Sequence, residues 1–262
     1  MVKSALIGHS GFVGSTLKNQ RSFTHYYNSQ NINEISGEKF DLVVCAATPA
    51  AKWIANRNPE ADRATIALLC ACLAEIRADT FVLISTIDVY PQALGQDEDA
   101  PIIRDELAAY GRHRFDLETM VSSTFTGALI MRLPALFGRG LKKNALYDLI
   151  HNNNIHLLDG AATFQFYNLA HLSADIERCR AQQITRININ SAPISLQEIA
   201  ASAFGYSLPT QLNAHHPCYD IRSKYSSLWD GYGGYLYDKL RTLDEISEFV
   251  RATRHLLGSR CQ

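Results

Sequence analysis

Gly8, Gly11 and Gly14 stand at three-residue spacing directly after the apolar run Ala5-Leu6-Ile7, within a few residues of the start of the chain. A short buried strand that runs into such a loop and then into a helix can be built in few ways. The first glycine lets the chain turn sharply, the second lets backbone approach a ligand with no Cβ in the way, and the third lets the helix lie close on the strand. The segment Gly8-His9-Ser10-Gly11-Phe12-Val13-Gly14 therefore suits a dinucleotide pyrophosphate, cradled at the positive end of the following helix. A glycine trio alone is a weak signal, and its position on the first strand–helix junction strengthens it.

The remainder of the first half repeats the strand–helix alternation. Val2–Gly8, Ser22–Tyr27, Asp41–Ala47, Phe81–Thr86 and Gly127–Leu133 read as strands, and Phe12–Asn19, Pro59–Ala78 and Ile103–Ser122 as helices. Asp105 and Glu106 suit the first turn of the last of these helices. Continuous apolar strands separated by helices predict a parallel sheet covered on both faces, a Rossmann-like, doubly wound α/β fold. Past Gly138 the character changes. A basic stretch with Arg139, Lys142 and Lys143 is followed by a strand at Thr185–Asn190, a helix start at Ser195 with Glu198 at capping-box spacing, and a tyrosine-rich segment from Tyr219 to Tyr237. The expected organisation is a dinucleotide domain over 1–138 and a small C-terminal substrate lobe over 139–262, with about 165–190 returning to the first domain.

Length and composition bound the function. The 262 residues suffice for one large α/β domain or such a two-part chain. A net charge of −1 and a pI near 6.7 give no electrostatic footprint for nucleic acid or an anionic membrane. Cys45, Cys70, Cys72, Cys179, Cys218 and Cys261 form no C-x-x-C pair and no zinc spacing. The adjacent His215 and His216 point different ways and read as surface loop, so no metal is expected. Free thiols and the lack of a recognisable leader suggest the reducing cytosol. The apolar run from Ile66 to Ala74 is too short to span a bilayer.

A second constellation bears on chemistry. Thr86 ends a sheet strand, the end at which open α/β sheets bind ligands. Tyr110 and Arg114 lie four residues apart, on one face of the next helix. Hydride transfer between carbon and nicotinamide needs a proton to leave or join the neighbouring oxygen. A free phenol, with a pKa of about 10, is a poor base at neutral pH. A nearby cation that made it useful would have to supply roughly 3–4 kcal/mol of differential stabilisation. By spacing alone, a helix-surface tyrosine beside a solvated arginine is the plainer reading.

Several blocks, taken in order, go further. Gly8-x-x-Gly11-x-x-Gly14, Asp41 to Ala47, Ser85-Thr86-Ile87-Asp88-Val89-Tyr90, Tyr110-Gly-Arg-His-Arg114 and Arg132-Leu-Pro134-Ala-Leu-Phe-Gly138 together resemble the extended short-chain dehydrogenase/reductase family. Its members are nucleotide-sugar epimerases, dehydratases and ketoreductases. The likeness runs from Met1 to about Ile176.

It implies an NAD(P)-dependent keto/alcohol oxidoreductase acting on a nucleotide-activated sugar. Thr86 would orient the substrate oxygen and Tyr110 would act as acid/base. Arg114, in the position of the family's lysine, would bind the nicotinamide ribose and bias Tyr110 toward phenolate. Gly8, Ser10, Gly11, Phe12, Val13 and Gly14 would hold the pyrophosphate, Ala46 and Ala47 would wall the cofactor, and Pro134 would lie near the nicotinamide. Asn28 would meet the adenosine ribose, favouring NAD slightly and leaving NADP open. A homodimer through the 59–78 and 103–122 helices is also implied.

Two departures qualify the match. Arginine replaces lysine at 114, which keeps the charge but cannot shuttle protons. The acidic pair of the dehydratases is half present, with Asp88 kept and Ile87 in place of its neighbour. An epimerase or dehydratase using Asp88 is thus an alternative, and a non-catalytic dinucleotide sensor or scaffold is another. Gln165, Phe166 and Tyr167 fall where the family contacts the nucleotide, without the usual arginine. The Trp229–Tyr235 segment reads equally as a stacking surface or as lobe packing.

Overall fold

The computed structural model describes residues 2–210 and 216–258. In chain order the elements are β1 (Ser4–Ile7), α1 (Phe12–Gln20), β2 (His25–Tyr27), β3 (Lys39–Cys45), α2 (Lys52–Arg57), α3 (Pro59–Ala74), β4 (Arg77–Thr86), α4 (Ala109–Thr124), β5 (Leu129–Leu133), β6 (Ala135–Phe137), α5 (Ala145–His151), β7 (Thr163–Phe164), β8 (Phe166–Asn168), α6 (Leu172–Ala181), β9 (Arg186–Asn188), β10 (Ile194–Ser195), α7 (Leu196–Ile199) and α8 (Lys239–Gly258). They divide into two units. The first holds residues up to Gln92, Asp99–Leu133 and Ala170–Asn188; the second holds Ala93–Glu98, Pro134–Leu169 and the chain from Ile189 onward.

The first unit is built on a six-stranded sheet in the order β2-β1-β3-β4-β5-β9. Every pairing in it is parallel. Strand order reverses between β1 and β3, so a crevice opens at their C-terminal ends, where doubly wound sheets bind ligands. All four residues of β1 and the last four of β3 are buried, as strands covered on both faces require. One face is filled by a stripe from α3 (Ile66, Leu69 and Leu73) and by Leu117 and Val121 of α4. This is the Rossmann-like α/β fold.

Some element boundaries differ from the sequence reading. The helix beginning at Pro59 stops at Ala74, and Arg77 and Ala78 already belong to β4. Ile76 and Ala78 extend the apolar pattern, but they do so as the entry to a strand. The expected helix over 103–122 begins at Ala109. Asp105 and Glu106 lie instead in a separate 3₁₀ turn, Arg104–Glu106. The segment read as strand from Ser22 pairs only over His25–Tyr27. Helix α2 has no counterpart in the sequence pattern.

The second unit has two small sheets, β10-β7 and β6-β8. Its core gathers Leu146, Leu149 and Ile150 of α5, Leu196 and Ile199 of α7, and Ile246 and Val250 of α8. The capping box at Ser195 forms as expected. Its hydroxyl accepts from Glu198 N–H at 3.1 Å, while the Glu198 carboxylate accepts from Ser195 N–H at 2.8 Å. The tyrosine-rich segment packs on itself. Tyr235 donates to Asp220 at 2.7 Å and lies under the Arg222 guanidinium, and burial followed by the Asp220 carboxylate pushes its phenol up to about 12. Trp229 is buried and Tyr232 is exposed.

Candidate functional site

The glycine loop leaves β1 with Gly8 at φ +86°, a conformation that side chains rarely adopt. A Cβ on Gly8 would lie 2.4 Å from the Ala46 carbonyl oxygen, and one on Gly14 would lie 2.0 Å from the Gly8 carbonyl oxygen. Neither position tolerates a side chain. Gly11, by contrast, would meet only the Gly8 carbonyl oxygen, at 3.4 Å. Gly8 makes the sharp turn and, like Gly14, lies against backbone, while Gly11 has only an ordinary contact beside it. Gly11 is the N-cap of α1, which has no side-chain cap and no acidic residue in its first turn. The positive end of the helix is left for an incoming anion.

Ala46 and Ala47 follow β3 beside this loop. Ala46 N–H donates to Ile7 at 2.8 Å, and Gly8 N–H donates to Tyr27 at 2.7 Å. These bonds bring the ends of β2, β1 and β3 level, with Asn28 next in line. The Asn28 side-chain oxygen accepts from Gln30 N–H at 2.8 Å, closing a local turn. Pro134, immediately after β5, opens the Pro134–Leu169 segment of the second unit.

The Thr86–Tyr110 pair forms. Thr86 ends β4, and its hydroxyl accepts from Asp88 N–H at 3.1 Å, capping the 3₁₀ turn Ile87–Val89. Thr86 faces the Tyr110 phenol and favours its ionised form. Tyr110 sits in the first turn of α4, with its N–H given to the Asn56 side chain of α2 at 2.9 Å. The next residue lets the helix approach, since a Cβ on Gly111 would stand 2.0 Å from the Asp88 carbonyl oxygen.

A buried polar network fixes the strand end that carries Thr86. Arg132 of β5 forks onto Glu118 of α4, with Nη2 2.6 Å and Nε 3.0 Å from the carboxylate oxygens. Ser85 donates to the same carboxylate at 2.6 Å. Arg132 also reaches the Tyr90 hydroxyl at 2.7 Å, and Asn188 of β9 bonds that hydroxyl from the far side. Ser85, Tyr90 and Arg132, which belong to the quoted motifs, therefore serve as scaffold. Fully paired buried ions of this kind hold one geometry, because breaking any member strands a charge.

Arg114 behaves differently from the sequence expectation. It is 1% exposed. Its Nη1 donates to Asp62 of α3 and to the Tyr110 carbonyl, and its Nη2 donates to the Pro49 carbonyl at 2.6 Å. The plane of the guanidinium covers the Tyr110 ring, 4.0 Å from the centroid. The fork expected to face a ribose diol is turned onto Asp62 and Pro49. His113 Nδ1 lies 2.7 Å from the same Asp62 oxygen.

Tyr110 likewise does not show the expected depression. Burial pushes its phenol above the ordinary value and is the largest influence. Arg114 opposes it, Asp88 adds to it, and Lys52 and Thr86 pull back. The net direction is upward. Burial disfavours phenolate more than the arginine favours it.

Asp88 is held by a residue that no motif marks. Lys52, the first residue of α2, donates to one Asp88 oxygen at 2.6 Å, and the other oxygen is 3.5 Å from the Thr86 hydroxyl. Lys52, Asn56 and Asp62 are the site residues missed by the sequence reading. Asp62 could have been found, since with Ile66, Leu69 and Leu73 it falls on the buried stripe of α3. Lys52 left no such signal.

Gln165 is buried in the second unit, and its side chain bonds the backbone of Ser191 and Ile221 there. Phe166 and Tyr167 are core residues of β8. His215 lies outside the described residues, and His216 stands 2.6 Å from Asp159. Among the described residues no cluster of His, Cys, Asp and Glu could hold a metal, and no helix is long and apolar enough to cross a membrane.

No protein-family model matches the chain, and no curated protein matches its sequence. Solved structures do match its fold. MoeE5 in complex with UDP-glucose and NAD superposes with a TM-score of 0.70 at 15% identity, covering 97% of this chain and 99% of that one. A UDP-galactose 4-epimerase gives 0.70 at 14%, covering 98% and 99%. The dTDP-4-dehydrorhamnose reductase of Bacillus anthracis str. Ames, in complex with NADP, gives 0.72 at 14%, covering 97% and 100%. At these identities the likeness establishes the fold.

Proposed function

We propose that this chain is an NAD(P)-dependent oxidoreductase acting on a nucleotide-activated sugar, by keto/alcohol hydride transfer. The observation that carries the reading is the Thr86–Tyr110 hydroxyl pair, buried at the C-terminal end of the sheet in the unit that also holds the side-chain-free glycine cradle. The similarly folded proteins named above include an epimerase, a reductase and a protein bound to UDP-glucose and NAD, which supports the same substrate class.

The cradle fits a dinucleotide. Backbone N–H groups of Ser10, Phe12, Val13 and Gly14 would hold the pyrophosphate, Asn28 the adenosine ribose, and Ala46 and Ala47 one wall. When bound, the nicotinamide supplies the hydride donor or acceptor. Thr86 holds the substrate oxygen against the Tyr110 phenol. Tyr110 gives its proton to that oxygen when a ketone is reduced, and takes one back when an alcohol is oxidised. Its raised pKa keeps it in the proton-donating form at neutral pH, which suits the reductive direction. Arg114 stacks on the ring and fixes its plane.

A second reading, a dinucleotide-binding sensor without turnover, is favoured by the engagement of Arg114 with Asp62. One experiment separates the two. The protein is titrated with NADH and with NADPH by fluorescence, then scanned against UDP- and dTDP-sugars for loss or gain of nicotinamide absorbance. Turnover that falls roughly 100- to 10,000-fold in Tyr110→Phe, with cofactor binding retained, supports the enzyme. Binding without turnover supports the sensor, and normal turnover in Tyr110→Phe rejects the assigned role of Tyr110.

A further inference from the structure

The cation stacked on the Tyr110 ring also has partners elsewhere. Arg114 shares one Asp62 oxygen with His113 and gives its other end to Pro49. A second cation reaches the site by a different route. Lys52 is presented by α2, and α2 is itself pinned to the start of α4 through Asn56 and the Tyr110 N–H. From Lys52 a continuous series of polar contacts runs inward. Its ammonium is 2.6 Å from Asp88, the far oxygen of Asp88 is 3.5 Å from Thr86, and Thr86 meets the Tyr110 phenol. The series passes from a half-exposed lysine to two buried hydroxyls.

We infer that Lys52 is a positioning residue for Tyr110: it neutralises and orients Asp88, and so sets how readily the Tyr110 phenol ionises. This rests on the reading of Tyr110 as the acid/base group. The charged groups that face the phenol are Arg114 of α4, Asp88 after β4 and Lys52 of α2, with Asp62 and His113 behind Arg114. Asp88 alone would hold the phenol protonated, because a carboxylate disfavours a second negative charge close by. Arg114 is the larger opposing charge on the phenol, and Lys52, paired with Asp88 at 2.6 Å, is the group that offsets that carboxylate. In the chain, a lysine 58 positions before the tyrosine shares a task that the resemblance assigns to position 114.

The test needs neither cofactor nor sugar, so an absence of turnover leaves it readable. Protein carrying ¹³C at the tyrosine ring carbon bearing the hydroxyl is titrated through the alkaline range by NMR, and the Tyr110 signal is identified by its loss in Tyr110→Phe. In Lys52→Met a smaller fraction of Tyr110 is ionised at each pH than in the parent. In Lys52→Arg the fraction is equal to or above that of the parent, because the guanidinium keeps its charge where an ammonium begins to lose it. In Asp88→Asn the fraction is larger. Asp88→Asn also reads the same coupling if Lys52→Met does not fold. Unchanged curves in Lys52→Met, or failure of Lys52→Arg to hold the parent curve, overturn the role of Lys52. An unchanged curve in Asp88→Asn overturns the route through Asp88.

Discussion

Arg114 illustrates how one neighbour redefines a residue. A guanidinium on the face of a phenol four residues away reads as a device for making phenolate. Asp62, from another helix, turns it into half of a buried ion pair. Both side chains are almost fully enclosed, so their attraction is strong only while both are present. Removing the carboxylate leaves a guanidinium in a dry site with nothing to balance it. Asp62→Ala is therefore expected to destabilise the protein by about 3–5 kcal/mol, read as a shift of the urea unfolding midpoint with an unchanged slope. A loss below about 1 kcal/mol would mean that water reaches the arginine once Asp62 is gone. Asp62→Asn, which keeps a hydrogen-bond acceptor, should fall between the two.

At the level of elements, the close crossing of α4 over the turn after β4 determines whether Tyr110 meets Thr86. Gly111 is the contact. Alanine there gains about 1 kcal/mol of helix propensity. Its methyl would stand 2.0 Å from the Asp88 carbonyl oxygen, which is backbone and cannot swing aside. Overpacking of this kind costs roughly 1–3 kcal/mol, so the clash wins. Gly111→Ala is expected to lower the melting temperature and to weaken turnover together, because the helix must lift with Tyr110 on it. A variant more stable than the parent would show that α4 is not held at this crossing.

What the sequence displays at this scale follows from the range of the interactions. Glycine spacing, apolar strands and the Ser195 capping box depend on neighbours within a few residues, and they are legible. Helix α2 is six residues long and has no amphipathic repeat to announce it. Lys52 acquires its meaning from Asp88, 36 residues away, and Arg114 from Asp62, 52 residues away. Such pairs have no local signature. The start of α4 differs from the sequence expectation for the opposite reason: Asp105 and Glu106 carry a genuine helix-start signal and fulfil it in a 3₁₀ turn of their own.

At the scale of the molecule, the two units show long-range folding of different kinds. The first closes around one parallel sheet, to which the late segment Ala170–Asn188 contributes β9. The second takes the six-residue stretch Ala93–Glu98 from within the first half of the chain. There Glu98 is buried and accepts from Ser223 at 2.6 Å and from Lys224 N–H at 2.9 Å. Each unit also depends on a carboxylate held in its ionised form. In the first unit burial pushes Asp62 up, and the hydrogen bonds and charges of Arg114 and His113 outweigh it, leaving it below its ordinary 3.8. In the second, burial of Glu198 is outweighed by Lys239 and Ser195, leaving it below its ordinary 4.5.

A folded-state pKa below the unfolded one means that the native state releases a proton that the unfolded chain keeps. The contribution is complete above the unfolded value and is lost as pH falls through the folded one. The urea midpoint should therefore be insensitive to these two groups between neutral pH and about pH 5 and should fall below that. Glu198→Gln isolates the second unit. Glutamine at that position still accepts from the Ser195 N–H, keeping the capping box, but it cannot bind the extra proton or pair with Lys239. Its midpoint at neutral pH should be slightly lower than the parent's, and its decline on acidification shallower. Parallel declines in the two proteins would mean that the Lys239 pair does not hold Glu198 ionised.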